Sequence, residues 1–572
     1  MKKRSSFRLL TIALAMQILL LPIASLAQGT SQADVYAAIR KEAMDHSQIM
    51  HTLHYFTDVY GPRLTGSLNH VNAAKWGARE MRSWGFDFAG LEPWEFGHVG
   101  WANDHNTGLM LSPVTDTLTY EVLAWTPSTR GTVVSDAVSV VLPTYPVEGN
   151  PRVVQQPTQE ELSAYFESIK SSIAGKIVLV GKPTFIDQSR DPAPKHIQDA
   201  ALESLKCRLD PAKKPGDCPN QFGGGGPRPG GGGPGGGSPV TPRPNALTAA
   251  QVNEQLDKFL VDNKVLVRIN ESQLDRGAVR AFNNRTFDVS KVVPTVVMRN
   301  EDFGRIYRLL EDKMPVKLEF NLQSHIVPDG VTSYNMVGEI WGSDKKDEVV
   351  MLGGHLDSWH SATGATDNAI GCTVMMEAAR ILKAIGVKPR RTIRVACWSG
   401  EEEGLLGSEA YVAAHFGTYE NQKADFTKFA GYFNQDDGTG RTRALTVFGP
   451  PEAATVLRDA LAPFADLGFV GVGSTTSRRT GGTDSTSFNF AGLPGIGAQQ
   501  DPIEYNQVTW HTNLDTYERI IEADQKASAI IFAAAVYTLA MRDDQLPRFS
   551  KENMPPPPTP APTPTPAATP KP

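Results

Sequence analysis

The chain has 572 residues, 40% hydrophobic and 21% charged, a globular balance that is too long for one ordinary core and points to two domains. A formal net charge of −6 argues against a nucleic-acid partner or an anionic membrane surface. Four cysteines are too few to build a disulfide scaffold, so burial must stabilise the fold.

The first elements read as a targeting segment. Met1-Lys2-Lys3-Arg4 is basic, residues 9–23 form an apolar run interrupted by Gln17, and Ser25-Leu26-Ala27 supplies small residues at a cleavage position. The pattern predicts a signal peptide over residues 1–27 and a secreted or periplasmic protein. The run is short for a transmembrane anchor, and no later segment is apolar and long enough to span a bilayer. In an oxidising compartment Cys207 and Cys218, close together in a loop-like stretch, are equally compatible with a local disulfide and with two thiols. Cys372 and Cys397 lie in apolar segments and read as buried, unpaired thiols.

Residues 35–84 have helical periodicity, with turn signals in Tyr60-Gly61-Pro62-Arg63-Leu64-Thr65-Gly66-Ser67. Beyond residue 128 the rhythm changes to short β-branched runs at residues 132–134, 138–142 and 177–181, divided by Gly and Pro. These predict a β-rich insertion over residues 128–326 inside a domain formed by 28–127 and 327–548. Within it, residues 223–239 are nearly all Gly and Pro and cannot bury enough apolar surface to offset their ordering entropy. Residues 549–572 form a Pro-rich tail, expected to be extended and disordered.

From residue 335 strands alternate with helices: strands at 335–340, 348–354 and 392–398, and helices at 368–385 and 403–415. Alternation of this kind predicts an α/β fold with a mixed, mostly parallel central sheet flanked by helices. Ligands collect at the carboxyl ends of such strands. His355 and Asp357 follow one strand, Glu401-Glu402 another, and Asp436 follows the apolar stretch 429–433; Asp367 and His511 complete the set. Carboxylates crowded at one sheet edge repel each other unless cations compensate them, and mixed imidazole and carboxylate donors suit zinc. A single carboxylate can use its two oxygens on two ions about 3.5–4 Å apart. Glu403 and Asp437 read as solvated neighbours, and Thr509-Trp510-His511-Thr512 is not distinctive by itself. The polar loop 477–485 reads either as a solvated loop or as a wall of a substrate pocket, with Arg478, Arg479 and Asp484 as candidate substrate residues.

The segments Gly353-Gly354-His355-Leu356-Asp357-Ser358-Trp359, Thr366-Asp367-Asn368, Glu401-Glu402-Glu403-Gly404-Leu405-Leu406-Gly407-Ser408, Gln435-Asp436 and Trp510-His511 resemble the M28 family of zinc peptidases, in particular its carboxypeptidase Q branch. The resemblance implies a phosphorylase/hydrolase-like zinc-peptidase domain with an inserted protease-associated domain, and two zinc ions per chain. Asp367 would bridge them, His355 and Asp436 completing one site, Glu402 and His511 the other. Glu401 would be the general base, and Asp357 would accept the free N–H of His355. The implied activity is hydrolysis of terminal bonds in peptides or dipeptides, with amino-, di- and carboxypeptidase specificity left open; a homodimer is also suggested. A glutaminyl-cyclase-like acyltransferase with one zinc and a receptor-like binding protein without catalysis are the alternatives, and the complete ligand set and base count against both.

Overall fold

A computed structural model of the chain describes residues 31–147, 150–186, 243–282 and 286–557, with short pieces between 196 and 218. The expected signal peptide, the Gly-rich loop 223–239 and most of the Pro-rich tail lie outside the described residues.

An eight-stranded sheet runs, in spatial order, Phe88–Glu95, Thr332–Ile340, Arg391–Trp398, Lys345–His355, Phe429–Asn434, Gly495–Gln500, Thr442–Phe448 and Gly471–Thr475. Its four central strands, from Arg391–Trp398 to Gly495–Gln500, are mutually parallel, and antiparallel pairing is confined to the flanks. Side chains alternate across a strand, so each central strand feeds two cores. Val350 and Leu352, with Ile393, Val395 and Cys397, pack under the helices Gln32–Asp45, Ile370–Ala384 and Glu522–Met541. Val349 and Met351, with Ala396 and Trp398, pack on the other face against Tyr411, Phe416 and Phe488. Burial on both faces is what the continuous apolar runs of the sequence require. No helix among the described residues is long and apolar enough to cross a membrane.

A second eight-stranded sheet takes its strands from Gly100–Ser112 to Lys317–Val327. It therefore begins before residue 128, where the sequence rhythm changes. The strand Gly100–Ser112 includes the polar run Asn103 to Thr107 and has no strand signature of its own. It becomes a strand by pairing along its whole length with Lys317–Val327, from Gly100 opposite Val327 to Ser112 opposite Lys317. The two short β-branched runs after residue 131 fuse into one strand, Val133–Val140, because no Gly or Pro separates them.

The chain passes between the sheets at Gly100 and Gly330, where it meets Gly66. A Cβ on Gly100 would lie 2.1 Å from the Gly66 carbonyl oxygen, and one on Gly330 would lie 2.4 Å from Gly100 N. Three glycines thus let the backbone crossings touch the Pro62–Ser67 loop, which itself reaches the sheet edge carrying the ionisable residues. Cys207 and Cys218 form a disulfide, and Cys372 and Cys397 are buried and unpaired.

Candidate metal centre

His355 is the last residue of the strand Lys345–His355. The glycines before it are required by close packing: a Cβ on Gly353 would lie 1.8 Å from the Ala396 carbonyl oxygen of the neighbouring strand. Beyond the carboxyl ends of the adjacent strands come Glu401-Glu402 and Asp436, as the strand–helix alternation predicts. Asp367 sits on the turn Ala365–Ala369 that opens the helix Ile370–Ala384. His511 arrives from 75 residues downstream of Asp436 on an irregular loop, with φ of 59°.

All five expected ligands converge as two groups that share one residue. His355 Nε2 lies 3.3 Å from Asp367 Oδ1 and 3.2 Å from Asp436 Oδ1. His511 Nε2 lies 3.0 Å from Asp367 Oδ2 and 2.9 Å from Glu402 Oε2. Each group could hold an ion: donor atoms of His355, Asp367 and Asp436 lie within 4.8 Å of one another, as do those of Asp367, Glu402 and His511. Glu401 Oε2 is 3.8 Å from His355 Nε2, beside both groups.

The charge balance fits dications. Burial alone would push His511 down, but Glu402 and Asp367 outweigh it and raise it to about 9. His355 is likewise raised by Asp436 and Glu401 against its burial. Burial, reinforced by Asp436, Asp484 and Glu402, pushes Glu401 well up, and burial with Asp367 brings Glu402 to about 7. Two imidazoles therefore do not supply enough positive charge for the surrounding carboxyls. Glu402 Oε1 and His511 Nδ1 are buried without a hydrogen-bond partner. The donor set suits zinc.

The groups that hold the ligands differ in part from those expected. Asp357 does not accept the His355 Nδ1–H through its carboxylate, which stands 3.7 Å away; its backbone carbonyl accepts at 2.9 Å. The carboxylate instead accepts from Glu402 N and Thr65 Oγ1, both at 3.2 Å, tying the His355 segment to the Glu402 turn. Glu403 is not a solvated neighbour. The tight turn at Gly404 folds its carboxyl inward beside Asp357, and burial followed by that like charge pushes it well up. Asn368 donates to the Gln435 carbonyl at 2.8 Å and joins the Asp367 turn to the Asp436 loop.

Arg478 is not brought to the ligands. It is buried and donates to the carbonyls of Phe490 and Pro555 and to Glu420, because the loop folds back on the C-terminal segment. Arg479 is exposed and lies over the Phe490 ring. Asp484, by contrast, is buried next to the cluster; burial, then the like charges of Asp357 and Asp436 against the opposing His355, raise it to about 8. Sequence reasoning missed three supports. Arg63 donates to five backbone carbonyls around the site. Asp515 accepts the N–H groups of Thr366 and Asp367. Phe282, from the second sheet's unit, packs its ring on His511. The only signals for them were the Arg within the Tyr60–Ser67 turn and the Asp four residues after His511.

An α/β sheet whose strand ends gather two histidine–carboxylate groups around one shared carboxylate offers two adjacent groups that could each hold a metal ion. The description of peptidase family M28 matches residues 335–536, the span that holds all five of these histidine and carboxylate residues. The chain is similar to carboxypeptidase Q of Rattus norvegicus, with 30% identity over 258 residues, which are 45% of this chain and 52% of that protein. The chain thus spans about half the length of the curated relatives it matches. Among solved structures, a peptidase M28 precursor from Shewanella amazonensis shares the fold, with a TM-score of 0.60 and 22% identity over 91% of this chain and 99% of that one. A zinc aminopeptidase from Bacillus subtilis has a TM-score of 0.50 and 18% identity over 87% and 95% of the two chains.

Proposed function

We propose that this protein is a secreted or periplasmic exopeptidase that holds two zinc ions and hydrolyses a terminal bond of a peptide or dipeptide. One observation carries the reading: the two oxygens of Asp367 face two separate histidine–carboxylate groups. His355, Asp367 and Asp436 would hold one zinc, and Asp367, Glu402 and His511 the other. Bound zinc supplies Lewis acidity toward the scissile carbonyl and lowers the pKa of water.

The remaining work falls to the chain's own residues. Glu401 is buried beside both groups, and its raised proton affinity suits a base that takes a proton from the attacking water and returns it to the leaving amine. Asp357 and Thr65 hold the Glu402 turn in register with His355. Trp359, Ser361, Gly364 and Thr512 line a narrow recess against the His511 half. The inserted unit is read as a protease-associated domain. The names of the relatives, a carboxypeptidase and a zinc aminopeptidase, support a terminal bond as the target without choosing an end.

The test is metal counting on the purified full chain together with a panel of dipeptides and end-blocked peptides assayed with zinc and with chelator. Near two zinc ions and chelator-sensitive release of terminal residues are expected. Near one ion with cyclisation of N-terminal glutamine would replace this reading with an acyltransferase, and metal-free protein without turnover with a binding protein.

A further inference from the structure

The two histidines of the centre are oriented by different means. His355 Nδ1 is fixed by the Asp357 carbonyl at 2.9 Å, the hydrogen bond that ordinarily sets a ligand imidazole. His511 Nδ1 is buried and makes no hydrogen bond. Its ring is held instead by aromatic faces. Phe282 meets it edge to face, with ring centroids 5.1 Å apart and planes at 90°; Trp359 lies at 6.3 Å and the neighbouring Trp510 at 4.0 Å. Trp359 and Trp510 belong to the unit that carries the ligands. Phe282 does not.

Phe282 is fixed by a clasp between the second sheet's unit and the His511 loop. Val279 N donates to Asn513 Oδ1 at 2.8 Å, and Asn513 N donates back to the Val279 carbonyl at 3.0 Å. Arg280 pairs with Thr512 in an antiparallel bridge, and its guanidinium lies 4.8 Å over the Trp510 ring. On the far side, Ala124 N donates to the Phe282 carbonyl at 3.0 Å, anchoring the segment to the strand-bearing unit. The Phe282 ring also packs on Trp359 at 5.6 Å. The irregular loop that brings His511 to Asp367 and Glu402 is thus bound on one side by the inserted unit.

We propose that Phe282 is a positioning residue of the inserted unit, which orients the His511 imidazole and so sets the zinc affinity of the Asp367/Glu402/His511 half of the centre. Without the Phe282 ring, the His511 Nδ1 side has no hydrogen bond, and only the more distant Trp359 and the stacked Trp510 remain to restrict rotation about its side-chain bonds. The His355 half, fixed through Asp357, is independent of it. The inserted unit is in this sense part of the metal centre, not merely a cover over it.

This inference rests on the two-zinc reading. It is tested on the full chain by competing zinc against a chromophoric chelator, which reads the two affinities separately from turnover. In Phe282→Ala one zinc should keep the wild-type affinity and the other weaken about 10- to 100-fold, the range expected on losing a ligand's supporting contact. Phe282→Leu, which keeps apolar volume and guards against loss of folding, should weaken the same single site, and Phe282→Tyr, which keeps the ring edge, should restore it. Wild-type affinity for both ions in Phe282→Leu, or equal weakening of both, overturns the proposal while leaving the two-zinc reading intact. A wild-type chain that holds no zinc overturns that reading and this inference together.

Discussion

Asp515 Oδ2 accepts the backbone N–H of Asp367 at 3.0 Å, while its other oxygen accepts that of Thr366 at 2.6 Å. The residue that faces both ligand groups is therefore placed by a buried carboxylate that touches neither of them. An amide at position 515 could accept only one of these bonds and would turn an N–H group toward the other donor. Asp515→Asn should lower zinc affinity and kcat/KM by about 10- to 100-fold, with near-normal secondary structure. Unchanged zinc binding in this variant would show that the turn holds itself.

Glu401 Oε2 lies 3.8 Å from His355 Nε2, and Glu401 belongs to neither of the two groups that could hold an ion. Glu401→Gln should retain near two zinc ions and lose about 10²- to 10⁴-fold in kcat, the usual range for a general acid–base. Substantial turnover in the zinc-loaded variant would remove Glu401 from that role.

Arg63 is fully buried and donates to the carbonyls of Leu356, Phe56, Gly61, Thr363 and Gly364. Lysine cannot reproduce the planar fork, so Arg63→Lys strands several buried acceptors. A loss of at least about 3 kcal/mol in stability is expected, read as a fall in Tm with loss of activity. A wild-type Tm would contradict it.

Arg478 binds two carbonyls and Glu420 away from the ligands. Arg478→Ala should lower Tm and affect peptides with free and amidated C-termini alike. A selective loss on free C-termini would return Arg478 to the substrate, as the partner of its terminal carboxylate.

Two histidines outside the centre, the fully buried His70 and the partly buried His360, give the fold an acid sensitivity. Burial lowers His70 to about 4, with Asp357 opposing and Arg63 assisting, and burial lowers His360 to about 4 against its hydrogen bond to the Val122 carbonyl. Between the ordinary value near 6.5 and about 4, the unfolded chain binds a proton on each that the folded chain does not. Stability from these groups is thus complete above pH 6.5 and falls as the pH drops toward 4, by about 1.4 kcal/mol per pH unit for each. In a double variant, His70→Gln with His360→Gln, the dependence of Tm on pH over this window should flatten. An unaltered slope would assign the acid sensitivity to other groups.

Much of the centre was legible without coordinates because its chemistry is local to strand ends. Gly353-Gly354-His355, Glu401-Glu402 and Asp436 each follow an apolar run, and parallel strands deliver their carboxyl ends to one edge. The runs 348–354 and 392–398 announced a sheet buried on both faces for the same reason. The supports were not legible. Nothing near residue 63 or 282 in the sequence refers to residues 356 or 511, and Arg478 stands in a loop whose direction is set only by its packing against Phe490 and Pro555.

By itself the sequence determined the α/β class and a second β-rich unit, and it marked the histidines and carboxylates that the structure brings together, since periodicity and donor type are written into short segments. Tertiary structure alone decided where that second unit begins, because Gly100–Ser112 is a strand only through its partner Lys317–Val327. It alone decided that Asp357 orients His355 through a backbone carbonyl, that Glu403 turns inward, and that Phe282 reaches His511. Apart from the His355–Asp357 bond, those contacts join residues tens to hundreds of positions apart, and they exist because two sheets and their glycine crossing bring distant backbones together. Short-range sequence pattern carries no record of such meetings.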